Sequence, residues 1–502
     1  MFEPAAMLAD DPKICKNHSA TFNEFILLPR KTDRAHAIDS VSLDTRVTSD
    51  FLLSIPFMSA AMESVTGDQL AIALALHGGL GVVPAGRIGV DRQVRMIEEV
   101  KSYRDGFLPR FTSVTPETKI RVVDQMEGED GYSSFPVLND DGVLVGRVST
   151  SGYHPDHDLD LCVSERMQPL ENLLTIPVDQ PRDEIVEMLF TSAYNRAYLV
   201  DEAGRLHAIV LRSGLRRERR FKDATRDEKG RLKVGAAIST HAEDQERAKA
   251  CVAAGADLLA VDASDGVSEY MKETIEYVKR LQVPVVAGNV VDRAGFEYLA
   301  EWGADAVKVG IGSGSICTTR RVKAIGRGQA TAVRDVALAR DDWARKTGKY
   351  IPIISDGGLA GTGDMSVALC MGADVLMMGK YFAGFHESPT LPVKKTFPVM
   401  ASGGSTQVQV TVKPYWGEAS AKAKNVRRYQ QNDPRTFVIE GEEGFVVNKG
   451  SLHNLLPRDL RAIKGTLSSC GCSDLAQFRS EVMLERQSVG SQAEGGTSVL
   501  MG

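Results

Sequence analysis

The stretch Gly310-Ile311-Gly312-Ser313-Gly314-Ser315-Ile316-Cys317-Thr318-Thr319-Arg320 concentrates reactive and hydrogen-bonding groups. A cysteine thiolate is a strong nucleophile that suits attack on an electron-poor carbon. Cys317 follows a polar glycine loop and precedes Arg320, and backbone dipoles with a guanidinium favour the thiolate. Without those neighbours a lone cysteine reads as a small buried hydrophobe. Gly310, Gly312 and Gly314 let the backbone turn N–H groups toward an anion, and Ser315 adds a hydroxyl. Gly357-Gly358 and Gly379-Lys380 bring further donors, which together make a candidate phosphate site. Asp356 can accept from both hydroxyls of a ribose or cap the helix that follows it. Asp262 and Asn289 carry the same ambiguity.

These groups are useful only if one scaffold gathers them. Eight short apolar runs end near Gly, Ser, Asp or Asn: 56–62, 80–84, 232–238, 258–264, 284–290, 306–312, 351–357 and 375–381. Each has the length of a buried parallel strand, with little polar alternation. Helix-like segments lie between most of them. Thr240 with Glu243 predicts a capping box for a helix through Ala253, stopped by Gly255. Asp292 predicts the cap of a helix through Trp302, ended by Gly303, and 361–364 leads into a helix closed by Gly372. Eight such units predict an α/β fold, a (β/α)₈ TIM barrel, with its chemistry at the carboxyl ends of the strands. The spacing breaks once. Residues 1–107 make the first part of the barrel, 108–222 an insertion, and 223–502 the remainder with the cysteine loop. Inside the insertion, 135–148 and 197–211 read as two similar halves, which predicts a separate domain.

Composition narrows the class. With 43% hydrophobic and 25% charged residues the chain is globular, neither disordered nor collagen-like. A net charge of −6 gives no bulk reason for nucleic-acid or membrane binding, and neither is expected. Seven dispersed cysteines, an odd number in a long chain, fit a reducing compartment. Residues 1–16 lack the basic start and apolar core of a signal peptide, and no run reaches the length of a membrane span. The expectation is a cytoplasmic protein.

The cysteine loop closely resembles that of the IMP dehydrogenase/GMP reductase family, and the likeness extends over nearly the whole chain. Thr21-Phe22-Asn23-Glu24-Phe25 resembles the family's opening segment, and Ser59-Ala60-Ala61-Met62 its first barrel strand. Gly288-Asn289-Val290, Ser355-Asp356-Gly357-Gly358 and Glu387-Ser388-Pro389 also match. The insertion occupies the place of that family's tandem CBS domains. The resemblance implies NAD-dependent oxidation of IMP to XMP, in guanine nucleotide biosynthesis, with Cys317 attacking carbon 2 of the purine. It implies phosphate contacts from Ser315, Gly358, Gly379, Lys380 and Tyr415, with Asp356 on the ribose. Ser59, Gly417 and Glu418 complete the substrate side, and Asp262, Ser264, Asn289, Gly310 and Gly312 the cofactor side. Carbonyls of Gly312, Gly314 and Cys317 are implied to hold a potassium ion with Glu494, Gly495 and Gly496 of a neighbouring subunit. A homotetramer or octamer, and ATP or GTP at the CBS pair, follow from the same likeness.

Hydrolysis of the thioimidate left on Cys317 is assigned by the resemblance to a flap carrying Arg428-Tyr429. Read alone, 422–428 is a solvated basic run, and guanidinium normally stays protonated, so an arginine base needs desolvation and a placed water. Thr319 and Glu440 match a second proton relay for that water, with Glu442 and Glu443 close enough to compete for the register. Several positions depart from the family pattern. Glu63 stands where Asp is common and Lys380 where Ser is common. Residues 263–266 differ, Trp416-Gly417-Glu418-Ala419 replaces Arg-Gly-Met-Gly, and 391–412 is longer than expected.

GMP reductase is the close rival and lacks the hydrolytic flap; a non-catalytic nucleotide sensor is the rival from another class. His154-Pro155-Asp156-His157-Asp158 reads as a polar loop without ordered ligand spacing. Cys470-Gly471-Cys472 lacks a second pair for zinc. Arg216-Arg217-Glu218-Arg219-Arg220 reads as a solvated helix face.

Overall fold

The computed structural model describes residues 19–86, 88–104, 106–108, 111–130, 133–218, 221–263, 266–401, 404–420, 422 and 439–495. It contains two compact units, one of residues 1–102 with 223–502 and one of residues 103–222.

The first unit is a closed parallel barrel. Its strands are β1 (Phe57–Ser59), β2 (Leu80–Val83), β3 (Gly235–Ile238), β4 (Leu258–Val261), β5 (Val285–Val290), β6 (Ala306–Val309), β7 (Ile353–Asp356) and β8 (Val375–Met378). Neighbours in the chain are neighbours in the barrel, and β8 pairs back onto β1. Nearly every strand residue is buried because helices cover the outside and side chains fill the inside, which is why the runs are apolar throughout. Leu80, Val82, Leu258, Val286, Ile354 and Val375 belong to the interior core. Four of the eight expected runs, 56–62, 258–264, 306–312 and 375–381, extend three residues past the strand. In 306–312 pairing stops at Val309, where Gly310 (φ 139°) and Gly312 (φ 73°) turn the backbone out.

At the opposite end a device repeats. Gly255-Ala256-Asp257, Gly303-Ala304-Asp305 and Gly372-Ala373-Asp374 each link a helix to a strand. Each glycine has positive φ, at 100°, 93° and 118°. Each aspartate then accepts a backbone N–H at the start of the preceding strand, from Val234, Val285 and Ile353, at 2.8 Å. Its own N–H donates back to the same residue at 2.9 Å. The pattern locks strand starts in register with a side chain the ladder does not supply.

The helices follow their sequence signals with one difference. They are α1 (Asp68–Leu76), α2 (Val90–Ser102), α3 (Asp244–Ala253), α4 (Glu269–Arg280), α5 (Arg293–Glu301), α6 (Thr319–Lys323), α7 (Gln329–Thr347), α8 (Thr362–Cys370), α9 (Lys380–Ala383) and α10 (Leu452–Ser469). Asp292 caps α5 by accepting from Gly295 N at 2.8 Å. The capping box expected at Thr240 and Glu243 does not form. Helix α3 begins at Asp244, whose carboxylate accepts from Ser239 N and stays with the loop. Helix α1 is buried from Leu70 to Leu76 because it packs on both α2 and α10, so its sequence is apolar all round. The long segment after residue 391 is a hairpin, β9 (Val393–Ala401) and β10 (Gly404–Trp416), joined by β11 (Glu443–Val447). No described helix is long and apolar enough to cross a membrane.

The second unit contains two small sheets. Ser134–Leu138, Leu144–Ser149 and Gln168–Pro169 form one. Thr175–Pro177, Arg196–Val200, Leu206–Leu211 and Phe107–Leu108 form the other. Each half has its own core, and Leu144, Tyr198 and Ile209 join in a third cluster between them.

Candidate active site

The carboxyl ends of the barrel strands open into a cavity of about 590 Å³, with a second of about 350 Å³ adjoining it. Cys317, Asp262, Lys308, Asp356, Glu418, Ala419 and Glu440 line both. Cys317 therefore sits where the two cavities meet.

The cysteine loop is held by a partner segment. Thr318 N donates to Glu440 O at 2.8 Å and Glu442 N to Ile316 O at 2.9 Å, so 439–442 runs antiparallel beside the loop. This brings three side chains into line. Cys317 Sγ lies 3.0 Å from Thr319 Oγ1, which donates to Glu440 Oε2 at 3.1 Å. Lys323 Nζ holds the other oxygen, Glu440 Oε1, at 2.8 Å. Both Thr319 and Glu440 are buried. Neighbouring acids take other partners, Glu442 with Arg321 and Glu443 with Lys422 N. Arg320, expected to act on Cys317, instead donates to Arg327 O.

On the larger cavity, Ser315, Gly358, Gly379, Lys380 and Tyr415 line one wall, with Gly417 and Glu418 nearby. The Tyr415 hydroxyl would lie 3.0 Å from a Cβ at Gly379, so the absence of a side chain there lets the ring in. Burial raises the Tyr415 pKa, against a hydrogen bond with Ser315 that lowers it, and keeps the phenol a donor. Glu418 Oε1 accepts from Glu63 N at 2.6 Å. Ser59 is fully buried and its hydroxyl accepts from Thr66; it is not on the cavity wall, where Ala60, Ala61 and Met62 stand.

The smaller cavity holds a polar network at the ends of β4 to β7. Lys308 Nζ donates to Asp262 Oδ1 at 2.8 Å and to Asp356 Oδ2 at 3.0 Å. Asn289 Nδ2 donates to the same Asp356 oxygen at 3.0 Å and to Gly310 O at 2.6 Å. Burial works against the Lys308 charge, but the Asp262 and Asp356 carboxylates outweigh it and hold its pKa above the ordinary value. Among the described residues two buried acceptors beside this network find no partner, Asn289 Oδ1 and Gln329 Oε1, and of the two only Asn289 lines the cavity. Gly310 and Gly312 line this cavity and Gly314 the other. Glu494 and Gly495 line neither. Ser264, Arg428, Tyr429 and Gly496 lie outside the described residues.

Two polar residues were not singled out from sequence. Lys308 had a signal: one charge inside the apolar strand Ala306-Val307-Lys308-Val309, where both barrel faces are buried. Gln329, which donates to Val309 O and Asp356 O, opens an ordinary helix and gave none.

A parallel eight-stranded barrel with a cysteine and converging polar groups at its carboxyl face is the architecture of a barrel enzyme. The model of the IMP dehydrogenase / GMP reductase domain matches residues 19–498. The chain belongs to that family. It is 36% identical over 491 residues to inosine-5'-monophosphate dehydrogenase of Tritrichomonas foetus, covering 95% of each chain. It is 33% identical over 475 residues to the Escherichia coli K12 enzyme of the same name, covering 93% of each. Among solved structures, a GMP reductase variant of Trypanosoma brucei in complex with guanosine 5'-monophosphate superposes with a TM-score of 0.74. The two share 26% identity over 97% of this chain and 98% of that one.

Proposed function

We propose that this chain oxidises IMP to XMP with NAD and water, and that Cys317, Thr319 and Glu440 carry the covalent chemistry. The observation behind this reading is the line from Cys317 Sγ through Thr319 Oγ1 to Glu440 Oε2, at 3.0 and 3.1 Å. In the first half-reaction Cys317 releases its thiol proton to solvent, its sulfur bonds to carbon 2 of the purine and hydride leaves that carbon. NAD, when bound, accepts the hydride. The product is a thioimidate on Cys317. In the second, water adds to the same carbon, the carbon–sulfur bond breaks and the thiol is regenerated. Thr319 takes the water proton while passing its own to Glu440, with Lys323 orienting the carboxylate. The expected flap pair, Arg428 and Tyr429, would act on the same water.

Ser315, Gly358, Gly379, Lys380 and Tyr415 suit the substrate phosphate, because backbone N–H groups, two hydroxyls and one ammonium converge there. Asp356 suits the ribose, with Gly417 and Glu418 toward the base. Asp262, Asn289, Gly310 and Gly312 suit the nicotinamide side, and Asn289 Oδ1 there, without a partner among the described residues, is an acceptor open to a ligand donor. The carbonyls of Gly312, Gly314 and Cys317 suit a potassium ion, since those of Gly312 and Cys317 accept no hydrogen bond from described residues. Glu494, Gly495 and Gly496 of another copy in a homotetramer or octamer would complete its shell. Residues 108–222 are proposed to be a CBS pair that takes ATP or GTP.

The second reading is GMP reductase, favoured by the solved structure described above. Absorbance of reduced nicotinamide decides between them. NADH formed from IMP and NAD, and lost in Cys317→Ala, supports the dehydrogenase; NADPH consumed with GMP instead sinks it. Glu440→Gln is expected to slow turnover by about a hundredfold or more, with product stranded on Cys317. A Glu440→Gln protein with full turnover would remove the relay from the mechanism.

A further inference from the structure

The strand that carries Tyr415 is held from behind by a lysine with no exposed surface. Lys413 lies two residues before Tyr415 on β10 and is 0% exposed. Its ammonium donates to the carbonyls of Phe385, His386 (3.4 Å) and Ser388 (3.1 Å). These carbonyls belong to the turn that follows α9, the helix whose first residue is Lys380. Among the described residues no carboxylate is hydrogen-bonded to the ammonium. Glu387, the charged group whose field reaches it, is occupied by Ser451 Oγ at 2.6 Å and Leu452 N at 2.9 Å. The His386 imidazole is exposed while its carbonyl faces inward.

We propose that Lys413 is a positioning residue for the substrate phosphate, a built-in cation whose three-carbonyl cage fixes the separation between Tyr415 and Gly379-Lys380. This rests on reading that wall as the phosphate site. Two facing parts of the wall come from distant segments, β8 with α9 and the end of β10, and the cage ties one to the other. A hydrophobe at 413 would leave the carbonyls of His386 and Ser388 without a donor among the described residues, while Phe385 O keeps Ser388 N–H at 3.2 Å. An unmade bond of this kind costs more than a made one contributes. The tie would loosen where the phosphate is held, not where Cys317 reacts.

Burial pulls the Lys413 pKa down from 10.5 to about 8, against the field of Glu387. Above that pH the neutral amine has two N–H donors and a lone pair, so one carbonyl of the cage loses its donor. Linkage gives stability the opposite trend. Between about pH 8 and 10.5 an unfolded lysine still binds the proton that the folded one has released, so stability rises with pH while the cage weakens.

The probe is ribose 5-phosphate, a competitor of IMP with nothing to titrate between about pH 7 and about pH 10 because its phosphate loses its second proton lower. In the wild-type protein its inhibition constant is expected to rise about fivefold or more across that range, stepping near pH 8 with no matching loss of thermal stability. Lys413→Met is expected to raise that constant and the KM for IMP about tenfold at neutral pH, abolish the step, and leave kcat within about threefold. A folded Met variant that binds both ligands as the wild type does, or keeps the step, overturns the proposal. If the variant does not fold, a flat wild-type profile overturns it and a step near pH 8 supports it. If ribose 5-phosphate never competes with IMP, the phosphate reading fails first and this proposal falls with it.

Discussion

The two ends of the barrel each bury a lysine or arginine against aspartates, yet they finish the job differently. At the base, Asp374 accepts from Arg340 at 2.9 Å, Arg479 at 2.9 Å, Tyr350 at 2.7 Å and Ile353 N at 2.8 Å. Arg340 also reaches Gly372 O and Asp341, and stacks over the Tyr350 ring at 4.8 Å. At the mouth, Lys308 binds Asp262 and Asp356, but the Asp262 side chain is 45% exposed. Two buried acceptors beside this network have no partner among the described residues. The Asp374 carboxylate is saturated and can only hold strands together, although Arg479 Nε beside it finds no partner among the described residues. The mouth, with an exposed carboxylate and the open Asn289 Oδ1 on the cavity wall, is arranged for a ligand that supplies the missing donor.

The sharpest way to break this comparison is at the base. Asp374→Ala takes the shared carboxylate from the buried Arg340 and the half-buried Arg479 and should cost about 3–5 kcal/mol of stability, read by denaturant unfolding. The KM for IMP should not change. A variant of normal stability but altered KM would mean the base communicates with the site. The mouth should respond the other way. Lys308→Met keeps the length of the side chain and exposes two carboxylates to a cavity that already admits water. Its kcat/KM should fall about a hundredfold, close to 3 kcal/mol, with a stability loss well below that of Asp374→Ala. Equal losses of stability in the two variants would erase the distinction between the saturated carboxylate at the base and the open ones at the mouth.

The sequence carried the barrel because each strand is a run buried on both faces, a pattern that survives without its partners. It also carried the cysteine loop, since three glycines, Ser315 and Cys317 are adjacent in the chain. What it did not carry depends on contact between distant segments. The Thr319–Glu440 bond spans 121 positions, and only the antiparallel pairing of 316–318 with 440–442 decides among Glu440, Glu442 and Glu443. Ser59 has the composition of a ligand contact but rotates toward Thr66. The box at Thr240 lost to a local competitor, because Asp244 caps the loop through Ser239 N and starts the helix itself. The three Gly-Ala-Asp repeats were visible as letters. Their meaning, an aspartate bonding the strand before it, needed the register.

The smallest predicted effect tests whether the base alters stability without altering the site. His77, just after α1 at the base, lies 3.0 Å from His453. Burial first, and then the His453 charge, push the His77 pKa down to about 4 from 6.5, with Glu387 opposing. As pH falls from 6.5 to about 4 the unfolded chain takes up a proton that folded His77 refuses. Stability therefore drops across that window and levels off below it, by no more than about 3 kcal/mol. His77→Phe keeps a ring against His453 and should flatten that part of the pH–stability curve, measured by urea midpoints. The KM for IMP at neutral pH should stay as it was, because His77 is neutral there in both states of the argument. A variant with the wild-type acid slope would place the acid sensitivity elsewhere. A shift in KM would show that the base is coupled to the mouth after all, through α1 and the strand it precedes.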